Sequence, residues 1–177
     1  MQHPLDKFSF CPVCGSANFH VYDEKAKQCA DCHFIYYFNS CAATVAFIRN
    51  TAGELLVCRR GKEPAKGTLD LPGGFIDMHE TAEEGIAREI KEETGLDTLR
   101  SRYLFSLPNT YLYSDFLVHT LDLFFLCEII PSHNLSANDD VAETFWLPLQ
   151  EIRPEDFGLN SVRKGVEMFL RSSVLEK

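Results

Sequence analysis

Two glycines leading into a carboxylate-rich helix, Gly73 to Leu96 (GGFIDMHETAEEGIAREIKEETGL), constrain this chain more than any other stretch. Thr81 and Glu84 have capping-box spacing, each side chain placed to serve the other's backbone N–H, so a helix is expected just after Thr81. Gly95 stands where a left-handed C′ residue belongs, which should stop that helix near Thr94. Glu89, Glu92 and Glu93 then fall at i, i+3 and i+4 and share one face. Ile86 and Ile90 take the adjoining flank, which should turn to the core. Like charges at this spacing repel by roughly 0.2–0.5 kcal/mol per pair. A divalent cation relieves that repulsion, and all-oxygen ligands suit Mg²⁺ or Mn²⁺.

A solvated acidic helix face is the competing reading. Glu84, Arg88 and Glu92 have the i,i+4 spacing of an ordinary surface ladder. Against it stands the preceding turn, Pro72-Gly73-Gly74, whose glycines permit unusual dihedrals and close backbone approach by a ligand. A glycine loop feeding a carboxylate helix is a place for a metal–phosphate complex.

These residues resemble the Nudix box, G-x5-E-x7-R-E-U-x-E-E-x-G-U, where U is a bulky aliphatic residue. Gly74, Glu80, Arg88, Glu89, Ile90, Glu92, Glu93, Gly95 and Leu96 match all nine fixed positions within 23 residues. The resemblance implies an α/β/α sandwich with a mixed sheet. It also implies Mg²⁺-dependent hydrolysis of a nucleoside diphosphate linked to another group. On that basis Glu89 and Glu93 would bind the cation with help from the Gly73 carbonyl. Glu92 would support a second ion or activate water, while Arg88 and Glu80 brace the loop against the helix.

Length and charge bound the alternatives. The 177 residues suit one mid-sized domain and a small appendage, and 45% hydrophobic content supports a core. A net charge of −9 argues against a non-specific nucleic-acid or membrane-surface binder. No apolar run of about 18 residues predicts a membrane span. The first residues, MQHPLDKFSF, lack the pattern of a secretion signal, and a cytoplasmic protein is expected.

Seven cysteines are present. Cys11-x2-Cys14 and Cys29-x2-Cys32 are spaced for tetrahedral Zn²⁺, whose binding would supply the folding free energy that so small a segment lacks. His20 and His33 are read as bystanders, and disulfide or redox use as the weaker alternatives. Residues 1–38 are therefore expected to form a zinc ribbon and 39–177 the catalytic domain. Asp23, Glu24 and Asp31 offset Lys25 and Lys27, so the ribbon offers phosphates no basic stripe and reads as structural. A ribbon before such a domain resembles the NADH pyrophosphatase branch of the family, which implies a possible homodimer. Cys41, Cys58 and Cys127 lie in apolar strand-like runs and are expected as small buried hydrophobes.

Ala42–Arg49 and Leu55–Arg59 read as strands joined by the turn Asn50-Thr-Ala-Gly53, a hairpin. Arg59 opens a basic cluster that either faces phosphate or ends the hairpin in solvent. Arg102–Leu107, Leu117–Ile130 and Glu143–Leu149 read as further strands, and Asn160–Val174 as a helix with one buried face. Ser106 to Tyr113 reads as a loop. The branch's S-Q-P-W motif falls there, but only Ser106 and Pro108 match, which ranks an ADP-ribose-like substrate ahead of an NADH-like one. Asn109, Tyr111 and Tyr113 could contact base or ribose, or the tyrosines could pack at the sheet edge. Phe75 and Arg59 complete the candidate substrate contacts. Counting back from Trp146, Asp140 matches the branch's extra metal-site carboxylate, with Glu143 the second candidate. The rival functions are a nucleotide sensor that does not cleave and a ribbon-based nucleic-acid adaptor; nucleotide-capped RNA ranks last among substrates.

Overall fold

The computed structural model describes residues 3–131, 135–138 and 141–172. Three three-stranded sheets and two α-helices organise them. The first sheet is the small antiparallel set β1 (Phe19–Asp23), β2 (Ala26–Cys29) and β3 (Ile35–Tyr37). The second joins β4 (Cys41–Ile48), β8 (Phe116–Ile129) and β7 (Thr98–Tyr113), with β4 parallel to β8 and β7 antiparallel to it. The third is antiparallel: β6 (Leu69–Asp70), β5 (Leu55–Arg60) and β9 (Val141–Leu147).

Burial on both faces explains why CAATVAFI becomes a parallel strand, for such strands need apolar residues on each side. On β4, Val45 and Phe47 face a core with Phe124 and with Val162, Val166 and Phe169 of α2 (Asn160–Leu170). Ala46 and Ile48 face the other core, with Phe125 and with Ile86 and Ile90 of α1 (Ala82–Thr94). The result is a layered α/β/α arrangement, as expected.

The α1 ends follow the sequence. Thr81 Oγ1 accepts from the Glu84 N–H at 3.2 Å while the Glu84 carboxylate accepts from the Thr81 N–H at 2.8 Å. Gly95 closes the helix at φ +74°.

Three expectations need correction. The segment 106–113 is not a loop but the second half of β7, paired through to Tyr113↔Phe116. Ser114 and Asp115 turn the chain with φ of +48° and +59°, the left-handed pair of a type I′ hairpin. Pro108 is tolerated because β7 is the edge strand of its sheet. Second, the Asn50–Gly53 turn forms, with Gly53 N–H donating to the Asn50 carbonyl, but β4 and β5 then separate into different sheets. One bridge, Arg49↔Leu55, is what joins them. Third, Cys41 is exposed, whereas Cys58 and Cys127 are buried as expected.

Candidate active site

The glycine turn is held where side chains would not fit. Gly73 has φ +149°, and a Cβ there would lie 2.0 Å from the Thr44 carbonyl oxygen. A Cβ on Gly74 would lie 2.5 Å from the Glu89 carboxylate. Backbone bonds from Thr44 N–H to the Gly74 carbonyl and from Ala46 N–H to the Pro72 carbonyl lay the turn along β4. The Gly73 N–H in turn donates to Glu93 Oε2 at 3.0 Å, tying the turn to the last part of α1. Glu93 is 8% exposed, an unusual degree of burial for a glutamate.

Arg88 ties the turn to the helix. Its Nε and Nη2 donate to the two oxygens of Glu80 at 2.9 Å each, a bidentate fork. Nη2 also reaches the Phe75 carbonyl at 3.0 Å, and Nη1 reaches Glu89 at 2.8 Å and Glu92 at 3.0 Å. Hydrogen bonds from Arg88, and then from the Asp77 N–H, hold the Glu80 carboxyl below its ordinary range. Glu84 takes no part in a ladder with Arg88, because its carboxylate is used by the cap.

A cavity of about 380 Å³ opens from this turn. Gly73, Gly74, Phe75 and Glu93 line one end, and Asn109, Tyr111 and Tyr113 line the β7 wall. Those three are two residues apart, so a strand puts them on one face, where the anticipated loop would not have fixed them. Phe75 is half exposed.

Arg60, rather than Arg59, reaches the lining. Arg59 donates to Glu143 Oε2 at 3.2 Å and to the Gly67 carbonyl at 3.1 Å. Glu143, the second-choice carboxylate, is thus paired on β9, and Asp140 lies outside the described residues.

Asp70 and Asp122, which were not among the expected site residues, also line the cavity. Asp70 pairs with Arg60 and accepts the Leu71 N–H at 2.9 Å. Burial pushes its carboxyl above the ordinary range, and Arg60 opposes that. Asp122 accepts from Thr120 Oγ1 at 2.5 Å and from the Ser161 hydroxyl. Burial, then the Asp122 charge, raises the Tyr111 phenol. One signal was available: an aspartate inside the apolar run FLVHTLDLFFLCEI is either paired or functional.

The residues fit an all-oxygen cation site in donor chemistry: three carboxylates on one helix face and a carbonyl on a turn bonded to one of them. Arg88 bridges two of those carboxylates. Among the described residues, the set of three or more ligand atoms lying within 4.8 Å of one another is that of Cys11, Cys14, Cys29 and Cys32. The Cys11–Cys32 and Cys14–Cys29 sulfurs are 3.6 Å apart in each pair, close to the roughly 3.8 Å edge of a tetrahedron with 2.3 Å Zn–S bonds.

The two cysteine turns are copies of each other. Gly15 N–H donates to the Cys11 carbonyl and His33 N–H to the Cys29 carbonyl. Gly15 and His33 both have left-handed φ, +74° and +62°. His33 therefore occupies a turn position and is not one of the four ligand-bearing residues.

A family profile for the NUDIX domain matches residues 40–166. Similar proteins include the NAD-capped RNA hydrolase NudC of Vibrio atlanticus, 33% identical over 106 residues, covering 60% of this chain and 39% of that protein. NudC of Vibrio vulnificus is 26% identical over 152 residues, covering 86% of this chain and 55% of its own. The chain thus spans roughly two fifths to a little over half of the curated relatives it matches. Among solved structures, a NUDIX hydrolase from Nitrosomonas europaea superposes with a TM-score of 0.71 at 22% identity, over 92% of this chain and 90% of that one. The NUDIX domain of Shewanella oneidensis NrtR, crystallised with ADP ribose, gives 0.60 at 18% identity over 75% and 88%. With a matched profile that covers well over half of the chain and the whole glycine–helix element, this chain belongs to the NUDIX family.

Proposed function

We propose that this protein is a divalent-cation-dependent pyrophosphohydrolase acting on a nucleoside diphosphate linked to another group, with structural Zn²⁺ on its four N-terminal thiols. The observation that carries the reading is the buried Glu93, bonded to the glycine turn and lining one cavity together with Asn109, Tyr111 and Tyr113.

Glu89, Glu92, Glu93 and the Gly73 carbonyl would hold Mg²⁺ or Mn²⁺. Bound there, the cation supplies charge neutralisation to diphosphate oxygens and acidifies water. The chain does the rest. Arg88 and Glu80 fix the turn against α1, which keeps the glycine turn beside the glutamate-bearing helix face. A glutamate of the cluster accepts the proton of the attacking water. Phe75 and the tyrosines of β7 shield and orient the nucleotide. ADP-ribose-like and NADH-like compounds are the leading substrates, and the relatives' name adds NAD-capped RNA to those worth testing.

The test is product release from ADP-ribose, NADH, NAD⁺, NAD-capped RNA, FAD and nucleoside triphosphates, with and without Mg²⁺. Cation-dependent hydrolysis of at least one diphosphate is expected, and Glu93→Gln should lower kcat by about 10²-fold or more. Hydrolysis of none would favour a nucleotide sensor. Wild-type turnover by folded Glu93→Gln protein would reject the assignment of Glu93.

A further inference from the structure

We propose that Asn109 and Asp122 read the nucleobase, Asn109 by holding its edge and Asp122 by selecting an exocyclic amine, as adenine and cytosine present, over the carbonyl oxygen of a keto base. The proposal rests on the reading of the cavity as a nucleotide site. Asn109 is 6% exposed and lines the cavity. Its backbone is paired in the β7–β8 ladder, yet its side-chain amide makes no hydrogen bond among the described residues. The amide lines the cavity with no protein partner among those residues, so it is open to a ligand that enters there.

Asp122 is the complement. It is 4% exposed and lines the same cavity. Each of its oxygens takes one hydroxyl, from Thr120 and from Ser161. A carboxylate has about four acceptor sites, so each oxygen keeps one for a ligand. Asp70 is the weaker choice because Arg60 and the Leu71 N–H already claim it. Register brings the two readers together: Asn109 opposes Thr120 and Leu107 opposes Asp122, so Asn109 and Asp122 are diagonal neighbours on one face. Tyr111 follows on that face and offers a ring to the base.

The two groups have different tasks. An asparagine amide offers one donor and one acceptor, and by rotating it serves adenine or hypoxanthine equally well. It supplies affinity without choice. Both Asp122 oxygens serve as acceptors, each already taking one hydroxyl. Asp122 welcomes an amine N–H and repels the carbonyl oxygen that replaces the amine in hypoxanthine, so it supplies the choice.

The experiment is calorimetric binding of ADP-ribose and its hypoxanthine counterpart to Glu93→Gln protein, which needs no turnover. The adenine ligand should bind about 10- to 100-fold more tightly. Asp122→Asn should bring that ratio towards one, and Asn109→Leu should weaken both ligands while keeping the preference. Equal binding of the two by the parent protein, or of neither, overturns the proposal whether or not Asp122→Asn folds. An unchanged ratio in folded Asp122→Asn protein also overturns it. Discriminating binding by a wild-type chain that hydrolyses nothing would sink the hydrolase reading and leave this one standing.

Discussion

Gly73 and Gly74 are adjacent, yet alanine should act differently at each. At Gly73 a methyl meets the fixed backbone of Thr44, and the dihedral itself is strained, so about 3 kcal/mol of stability should be lost. At Gly74 it meets the end of the Glu89 side chain, which can move. Gly74→Ala should therefore melt within a few degrees of wild type while hydrolysis falls steeply; denaturation curves and kcat together check both. Glu80 adds a pH test. Its folded pKa is lowered by Arg88 and the Asp77 N–H from an ordinary 4.5, so its stabilisation is present above that value and fades as pH falls through the lowered one. The gap in denaturation midpoint between wild type and Glu80→Gln should shrink from about pH 7 to about pH 3, and a constant gap would contradict the pairing. The positions of the Glu, Arg and Gly residues were legible because each follows from helical spacing or a cap. Asn109 and Asp122 gain their meaning from a cross-strand register that linear spacing does not contain.

Helix α2 carries Gly165 on its buried face, where alanine would ordinarily help a helix by nearly 1 kcal/mol. Here a Cβ would sit 2.3 Å from the Phe124 ring, so Gly165→Ala should instead destabilise by about 1–3 kcal/mol. A raised melting temperature would show that the helix lies farther from the sheet. Helix α1 was legible to the residue because its cap signals are local. The long β7 was not, since Ser114-Asp115 carries no Asn-Gly signal and Pro108 reads as a breaker until the strand is known to be an edge. The Asn50–Gly53 turn was legible, but whether its arms pair depends on β8 and β9, which arrive much later in the chain.

At the scale of the whole molecule, the cysteine-bearing sheet stands on the β7–β8 hairpin. Phe8 packs edge-on against Phe116 with centroids 5.7 Å apart, and Phe38 packs against Phe116 at 5.6 Å and His119 at 5.9 Å. Lys7 pairs with Asp115 at the tip. The C-x2-C spacing disclosed the thiol cluster, but no sequence pattern disclosed what it rests on. With zinc bound as proposed, a strong chelator should unfold residues 8–38 and raise amide exchange at 110–119 while the two larger cores stay protected. KM should rise several-fold and kcat change less. Tyr113 lines the cavity proposed to take the nucleotide and pairs with the very phenylalanine on which the small sheet stands. A cell starved of zinc would thus keep the blade and lose the handle: the residues proposed to cut would remain in place on α1 while the grip on what they cut slackens.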